Sequence, residues 1–194
     1  MATTEADALD RSDMERLAAG HSAALNDLME RHATAVFRFL CRMLGNEEDA
    51  SDLAQETFVR VFQSRAKFRA SEKFSAWLFT IAANLARNHI RWRTRHPNVS
   101  LDAETGAAEE PLSNVLPAAG ATPNEQALAI ERAVAVRTAV SRLPDDLREA
   151  IVLCEWEEKS VAEAALILEA TPKAIESRLY RARQNLRAEL QGWL

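Results

Sequence analysis

The densest group of hydrogen-bond donors lies close to the C-terminal end of the sequence. Residues 172–187 contain five basic residues and one acidic residue. On a helix with 100° per residue, one narrow apolar sector is formed by Ile175, Leu179, Ala182 and Leu186. The outward positions are Lys173, Ser177, Tyr180, Arg181, Gln184 and Arg187, with Arg178 and Arg183 on the flanks. Such donors suit phosphate oxygens and base edges in a major groove, although an ordinary amphipathic surface helix has the same pattern.

A second basic segment covers residues 60–95, which hold nine basic residues and one acidic residue. Its loop, KFRASEKF, mixes cations with Phe68 and Phe74, a combination that holds single-stranded nucleic acid by charge and stacking. Core packing is the alternative for both rings, and we expect it for Phe74. Further on, Arg87 and Arg91 are like charges four residues apart, which repel on an isolated helix unless an anion lies between them. A phosphate backbone would supply that anion; a solvated helix face is the alternative.

A polar stripe precedes this segment on the predicted helix 47–66. Its members are Asp52, Gln55, Glu56, Val59 and Gln63. Plain solvent-exposed surface explains such a stripe, and so does a docking face for a basic partner. The residues alone leave both interpretations open.

The helix-breaking residues predict how these segments are organised. Four of the six prolines and two of the five glycines lie between residues 97 and 123, whereas residues 46–96 contain neither type. All seven phenylalanines fall between residues 37 and 79, so we expect a separate aromatic core in the N-terminal half. The prediction is an all-α protein with two small helical domains, a helical bundle and a helix-turn-helix domain, joined by a flexible linker.

Local signals predict where the helices begin and end. In the first domain we expect helices over 22–44, stopped by Gly45, over 47–66, capped by Asn46, and over 74–92. In the second, a helix with the sequence LREAIVLCEWE follows Pro144. Ser160 and Glu163 fit a capping box that starts a short helix, and Thr171 with Pro172 starts the basic helix, which runs to about residue 190. Two short helices joined by such a turn form a helix-turn-helix.

Composition excludes several classes of protein. The formal net charge is −5, no run approaches the roughly 18 apolar residues of a membrane span, and the polar N-terminal residues are unlike a signal peptide, so we expect a cytoplasmic protein. Cys41 and Cys154 have neither the spacing of a zinc site nor a disulfide framework. No paired carboxylates, phosphate loop or activated nucleophile is visible, so we expect no catalytic residue, metal or cofactor.

Together these motifs resemble a known family. The stretch DASDLAQETFVRVFQSRAKFRASEKFSAWLFTIAANLARN, followed by LPDDLREAIVL and SVAEAALILEATPKAIESRLYRARQNL, is similar to bacterial sigma factors of the extracytoplasmic function group. The resemblance implies a tail at 1–20, a region-2-like domain at 21–96, an acidic flexible linker at 97–126 and a region-4-like domain at 127–194. It also implies a transcription initiation factor that binds core RNA polymerase at the β′ clamp helices and β flap, and binds promoter DNA.

The resemblance further implies roles for individual residues. Those expected to bind core polymerase are Asp49, Asp52, Leu53, Gln55 and Glu56. Those expected to recognise and melt the minus-ten element are Phe68, Arg69, Ser71, Lys73, Asn84, Arg87, Asn88 and Arg91. Those expected to contact the minus-thirty-five element are Lys173, Ser177, Arg178, Tyr180 and Arg181. An anti-sigma factor covering these faces is the expected regulator.

The sequence departs from the family pattern at three positions of the second domain. Glu169 and Lys173 stand where many relatives have glycine, and Glu176 stands where many have a basic residue. The preference at the minus-thirty-five element therefore follows least directly from the resemblance. A free-standing helix-turn-helix regulator that binds duplex DNA without polymerase is the alternative function, but it leaves the polar stripe and the aromatic loop unexplained.

Overall fold

The computed structural model describes residues 5–96 and 122–193, and every regular element in these ranges is helical. The helices are α1 (Glu5–Ala18), α2 (Ala24–Leu44), α3 (Glu47–Ser64), α4 (Phe74–Arg95), α5 (Pro123–Ser141), α6 (Asp145–Ile151), α7 (Val161–Ile167) and α8 (Pro172–Glu189). A 3₁₀ turn, Arg65–Lys67, follows α3, and a π-helical turn, Val152–Trp156, follows α6. The predicted all-α fold with two helical domains is confirmed.

The helices of the first domain begin and end close to the predicted residues. Gly45 stops α2 in the left-handed conformation, at φ 67°, and its N–H donates to the Cys41 carbonyl at 2.9 Å. Asn46 caps α3 by accepting from the Asp49 N–H at 2.8 Å. Helix α4 continues to Arg95 instead of ending at residue 92, which keeps its basic C-terminal turn helical.

Helix α1 is the main element that the sequence analysis missed, since residues 1–20 were expected to form a tail. Met14 and Leu17 are buried on it, but so are Asp10 and Asp13, which gives α1 a weak apolar pattern. The two carboxylates are satisfied by α2: Asp10 accepts from Arg31 at 2.9 Å and Asp13 at 2.6 Å, while His32 lies 2.8 Å from Asp10. A helix that is held in place by long-range ion pairs shows little apolar periodicity in its own sequence.

The second domain follows the predicted caps but divides one predicted helix. Ser160 and Glu163 form the capping box of α7, and the Thr171 hydroxyl accepts from the Ala174 N–H at 3.2 Å at the start of α8. We predicted a single helix after Pro144. In the structure the α-helix ends at Ile151, and the chain continues as the π-helical turn. Such turns follow from tertiary packing and have no simple sequence period.

The two domains pack against each other, and their buried side chains form one continuous cluster. The first domain contributes aromatic pairs such as Phe39 and Phe79, whose rings meet edge to face at 5.4 Å, and the second contributes aliphatic residues such as Ile151 and Leu153. The expectation of two separate cores was therefore wrong, because helix α4 packs on α7 across the domain boundary. Most of the predicted linker lies outside the described residues; its last residues, from Pro123 onward, belong to α5.

Candidate nucleic-acid interface

Helix α8 presents the predicted donors on one exposed face. Ile175, Leu179 and Ala182 are buried against the second domain. The opposite side exposes four residues, Lys173, Ser177, Tyr180 and Arg181, which we call the recognition face. Tyr180 is 63% exposed, and its hydroxyl accepts from the Gln184 amide at 2.7 Å. A solvent-facing aromatic beside several donors is a surface suited to a DNA groove.

Arg178 is the predicted minus-thirty-five residue that lies apart from the recognition face. Its side chain is turned toward α6, where its Nε lies 3.7 Å from a carboxylate oxygen of Asp146. It also borders a cleft of about 220 Å³ between α4 and the second domain. The helical wheel placed Arg178 on the flank of α8, and the packing of α6 decides which way that flank faces.

The turn between α7 and α8 forms with Glu169 at the position where the resemblance implied a glycine. Glu169 adopts the left-handed backbone conformation, at φ 51°. The turn is closed by the Ala170 N–H, which donates to the Ala165 carbonyl at 2.9 Å. The turn therefore forms without a glycine at this position. Glu169 has a Cβ, however, so it adopts this left-handed conformation at a steric cost that glycine would not have.

The basic loop before α4 combines a half-buried aromatic with exposed polar residues. Phe68 lies 6.1 Å from Phe74 and 5.4 Å from Trp77, measured between ring centroids, so it belongs partly to the core. Phe74 is buried, as expected. Arg69, Ser71 and Lys73 are exposed. The loop therefore offers cations and a hydroxyl to solvent, while its aromatic residues stabilise the loop against the bundle.

Helix α4 continues this surface along one side. Asn84, Asn88 and Arg91 are exposed, and the Arg87 guanidinium donates to the Asn84 side-chain oxygen at 2.9 Å. We use the name minus-ten surface for residues of this loop and of this side of α4 that are predicted to bind the minus-ten element; its members are Arg69, Ser71, Lys73, Asn84, Arg87, Asn88 and Arg91. Both groups of residues are rich in hydrogen-bond donors.

The polar stripe on α3 is partly exposed and partly neutralised. Asp52, Gln55 and Val59 are exposed, Val59 to 46%, whereas Leu53 packs against the core. The predicted polymerase contact Glu56 accepts from Arg60 at 2.7 Å on the same helix. Asp49 lies 3.2 Å from His89 and 3.4 Å from Arg93, both on α4. Of the five residues predicted to bind core polymerase, Asp52 and Gln55 are therefore the most exposed.

Two acidic residues to which the sequence analysis assigned no functional role lie against the minus-ten surface. Glu163 of α7 accepts from the Lys73 ammonium at 2.9 Å, and Glu149 of α6 lies 3.3 Å from the Arg87 Nε. The residues of each pair are far apart in sequence, so no local pattern identifies them. Only the capping-box pattern signals Glu163 at all, and it does so as a helix-starting residue.

The two carboxyl groups have opposite pKa shifts. Burial raises the pKa of Glu149 to about 7, and attraction by Arg87 and Arg178 opposes this rise only in part. Burial also acts to raise the pKa of Glu163, but hydrogen bonds from Ser160 and Lys73 outweigh it and lower the value to about 2. At neutral pH Glu163 is ionised, and Glu149 is divided between its two protonation states.

Among the described residues, no helix is long and apolar enough to cross a membrane.

Comparisons with known proteins agree with this geometry. Sigma-70 region 2 matches residues 28–96, and Sigma-70, region 4 matches residues 133–186. The chain is 32% identical over 173 residues to the ECF RNA polymerase sigma factor SigW of Bacillus subtilis, covering 89% of this chain and 91% of the relative. Among solved structures it is similar to CnrH in complex with the cytosolic domain of CnrY, with a TM-score of 0.68, 27% identity and coverage of 95% and 98% of the two chains.

A second solved structure is the sigma factor RpoE in complex with the anti-sigma factor NepR from Bartonella quintana. It has a TM-score of 0.66 and 26% identity, and the similarity covers 86% of this chain and 96% of the other. Region 2 contains the α3 stripe and the minus-ten surface, and region 4 contains the recognition face. The chain therefore belongs to the extracytoplasmic function group of the sigma-70 family, the factors that direct RNA polymerase to promoters.

Proposed function

We propose that three surfaces of this sigma factor divide the work of promoter selection. The α3 stripe, centred on Asp52 and Gln55, binds the β′ clamp helices of core polymerase. The minus-ten surface binds and opens the minus-ten element. The recognition face of α8 reads the minus-thirty-five element, and the β flap holds the second domain over it. The chain itself supplies binding free energy and carries out no catalytic step.

The recognition face is the observation that carries this proposal. Its four exposed residues occupy the outer side of a helix whose inner side is buried, at the end of a capped helix-turn-helix. The second helix of such a motif enters the major groove with its N-terminal residues against base edges. The acidic α3 stripe supports the polymerase assignment, because an exposed acidic face repels DNA but attracts a basic protein surface.

Promoter melting requires the minus-ten surface to supply binding free energy. Extruding a base from a duplex costs a few kcal/mol, and no nucleotide is hydrolysed to offset it. Contacts from Arg91 and Lys73 to phosphates, and from Asn84 and Asn88 to the extruded base, offset that cost. This work takes place on chromosomal promoters beside polymerase, so the protein acts in the cytoplasm.

We also propose control by an anti-sigma factor. The solved relative RpoE is in complex with the anti-sigma factor NepR, and the similarity covers most of both chains. An inhibitor of this kind would cover the α3 stripe and the minus-ten surface together. Co-purification of the tagged factor from cells should recover such a partner in addition to polymerase.

Runoff transcription with a cognate core enzyme tests the main proposal. Core enzyme with the wild-type factor should start specific transcripts from a randomised promoter library, whereas either component alone should not. A salt-dependent gel shift of duplex DNA by the free protein, without any core-dependent initiation, would instead favour a free-standing regulator.

Residue variants test the division of labour. Arg181→Ala should lower initiation at promoters that need the minus-thirty-five element by about tenfold, which corresponds to a lost contact of about 1–3 kcal/mol, and leave core binding intact. Asp52→Ala with Gln55→Ala should weaken core binding itself. Glu189→Ala, an exposed change at the far end of α8, is the control. Equal loss of both activities in both variants would contradict the assignment.

A further inference from the structure

Helix α1 packs on both ends of the loop that carries part of the minus-ten surface. We call residues 68–73, between the 3₁₀ turn and α4, the minus-ten loop. Helix α1 contacts the 3₁₀ turn at one end of this loop and α4 at the other, and its Asp7 lies 3.9 Å from the Lys73 ammonium. The match to region 2 begins at residue 28, so α1 lies outside the matched regions, and the proposed division of labour gives it no role.

The minus-ten loop has few anchors of its own. All of its residues after Phe68 are exposed, and the hydrogen bond within it runs from the Glu72 N–H to the Arg69 carbonyl, at 2.9 Å. Helix α4 begins after Lys73 without a capping hydrogen bond from that side chain. The aromatic rings of Phe68 and Phe74, at the two ends of the loop, therefore decide where its exposed donors lie.

His32 of α2 connects α1 to these rings. Its Nε2 lies 2.8 Å from a carboxylate oxygen of Asp10, and because an ionised carboxylate only accepts, that nitrogen donates the hydrogen bond. The His32 ring also lies 5.2 Å from the Phe74 ring, at an interplanar angle of 58°. Phe74 in turn meets Phe68 edge to face at 6.1 Å. A continuous series of contacts thus leads from the Asp10 carboxylate to the first residue of the minus-ten loop.

The Asp10 carboxylate is itself held in one orientation. It is 2% exposed, and the Arg31 guanidinium donates to it at 2.9 Å and to Asp13 at 2.6 Å. Since the donors of a guanidinium lie in one rigid plane, a bridge of this kind fixes both carboxylates. An apolar contact would also hold α1 on the bundle, but it is non-directional, whereas a hydrogen bond fixes direction as well as distance. The network is therefore suited to orienting the His32 ring.

We propose that α1 positions the minus-ten loop for base recognition. Asp10 orients the His32 ring, and His32 sets the place of Phe74 and, through it, of Phe68 behind the exposed donors. Asp10 and His32 are then positioning residues, which act on recognition of the minus-ten element without touching it. Binding sites need such support, because a loosely held side chain loses its directional contacts. The inference rests on the proposed function of the minus-ten surface and adds the element that holds it.

Hydrogen exchange of the full-length protein tests the mechanical link. His32→Gln keeps a donor for Asp10 but removes the ring that meets Phe74, whereas His32→Phe keeps a ring but removes the donor. In both variants, peptides covering residues 65–77 should exchange about tenfold faster than in wild type, relative to peptides of α3. These peptides include the amides of Glu72 and Trp77, each of which donates to a backbone carbonyl.

Leu40→Ala is the matched control for these variants. Leu40 is fully buried on the same helix, about 12 Å further along α2 than His32, so its truncation destabilises the first domain at a distance from the contact with Phe74. It should speed exchange of the loop and of α3 alike. An unchanged loop in either His32 variant, or an equal relative increase in Leu40→Ala, would overturn the proposal.

Runoff transcription with the holoenzyme tests the consequence for recognition. The templates are the promoter that the wild-type factor selects from the randomised library and the same promoter with one minus-ten base changed at a time. The ratio of the two initiation rates does not depend on how much factor is folded, so a purely structural defect leaves it unchanged. Both His32 variants should lower this ratio about tenfold at one or more positions, which is within the usual cost of one mismatched base. Leu40→Ala should keep the wild-type ratio, and wild-type ratios in the His32 variants would contradict the positioning role.

The two measurements separate this inference from the proposed function. If wild type directs initiation but the His32 variants keep both loop exchange and base discrimination, the positioning role is wrong and the promoter function stands. If loop exchange rises in the His32 variants but wild type never directs initiation with a cognate core, the promoter function is wrong. In that case α1 holds the loop in place, and the role in recognition is lost with the promoter function.

Discussion

The two domains reach stability by different means. The first uses long helices and a buried aromatic core, with Phe39 and Phe79 in edge-to-face contact. The second combines the long helices α5 and α8 with two seven-residue helices, α6 and α7. The short α7 begins with the capping box of Ser160 and Glu163, and this domain places Glu158 and Glu169 in the left-handed conformation. Long helices tolerate imperfect ends because packing dominates, whereas seven-residue helices such as α6 and α7 have few interior residues to pack.

The largest effect is expected from the aromatic core of the first domain. Phe39→Ala should lower the free energy of unfolding by about 4 kcal/mol, because the ring is fully buried and a cavity remains. Urea unfolding followed by circular dichroism measures this loss. Phe62→Ala is the control: that ring is 37% exposed, and its removal should cost less than about 1 kcal/mol. Similar losses for both variants would show that the aromatic core does not dominate the first domain.

The buried ion cluster of α1 is the next largest contribution. Asp10→Ala removes the carboxylate that pairs with His32 and one of the two that pair with Arg31, and it should cost about 3 kcal/mol, with earlier proteolysis of α1.

Asp10 also gives the first domain a dependence on acid pH. Burial acts to raise its pKa, but hydrogen bonds from His32 and Arg31 outweigh this and lower it below the ordinary value. The ionised Asp10 carboxylate therefore stabilises the folded state at any pH above the ordinary pKa of an aspartate, and this stabilisation is lost as the pH falls through the folded-state pKa. Asp27→Ala, at an exposed partner of Arg16, should cost under about 1 kcal/mol. A loss for Asp10→Ala no larger than this would mean that α1 is held by its apolar residues alone.

The second domain should show the opposite pH dependence because of Glu149. Its pKa is about 7 in the folded chain and 4.5 ordinarily, so the folded state binds the proton more tightly and stability falls as the pH rises from 4.5 to 7. Over this pH range the free energy of unfolding falls by about 3 kcal/mol. Glu149→Gln should thus resemble wild type at pH 4.5 and exceed its stability by up to about 3 kcal/mol at pH 8. Urea titrations at the two pH values measure this; a variant less stable than wild type at pH 8 would show that the pair with Arg87 outweighs the cost of burial.

The smallest effect concerns the strained turn before α8. Glu169→Gly should stabilise the protein by about 1 kcal/mol, since glycine adopts φ 51° without the steric cost of a Cβ. Thermal unfolding should show a rise of a few degrees. Glu176→Gly, in the interior of α8, should instead destabilise by about 1 kcal/mol. If both substitutions lowered the melting temperature, left-handed strain at Glu169 would be excluded as a cost to the second domain.

Sequence patterns predicted most of the helices, because their signals are local. Gly45, Asn46, Ser160 and Thr171 act on backbone groups within four residues, and each ends or begins a helix where expected. The apolar side of α8 was predicted for the same reason, since its period depends on helix geometry alone. The recognition face then followed as the complement of that apolar side.

Features that depend on distant partners were not predictable in this way. Helix α1 was missed because its buried positions include Asp10 and Asp13, whose partners lie on α2. The orientation of Arg178 follows from Asp146 on α6. The contact between the two domains rests on residues far apart in the chain, through the packing of α4 on α7 and pairs such as Lys73 with Glu163. Sequence patterns do not indicate any of these long-range contacts, because each residue alone resembles ordinary solvent-exposed surface.

The sequence by itself therefore determined the all-α class, the two domains, the helix ends and the residues that face outward on α8. It did so because backbone capping and helical periodicity act over a few residues. Only the tertiary structure decided that α1 is helical, that the cores are continuous and that Glu149 and Glu163 meet the minus-ten surface. Those outcomes depend on which charges become buried or paired when separate segments meet, and that information is absent from any single stretch of chain.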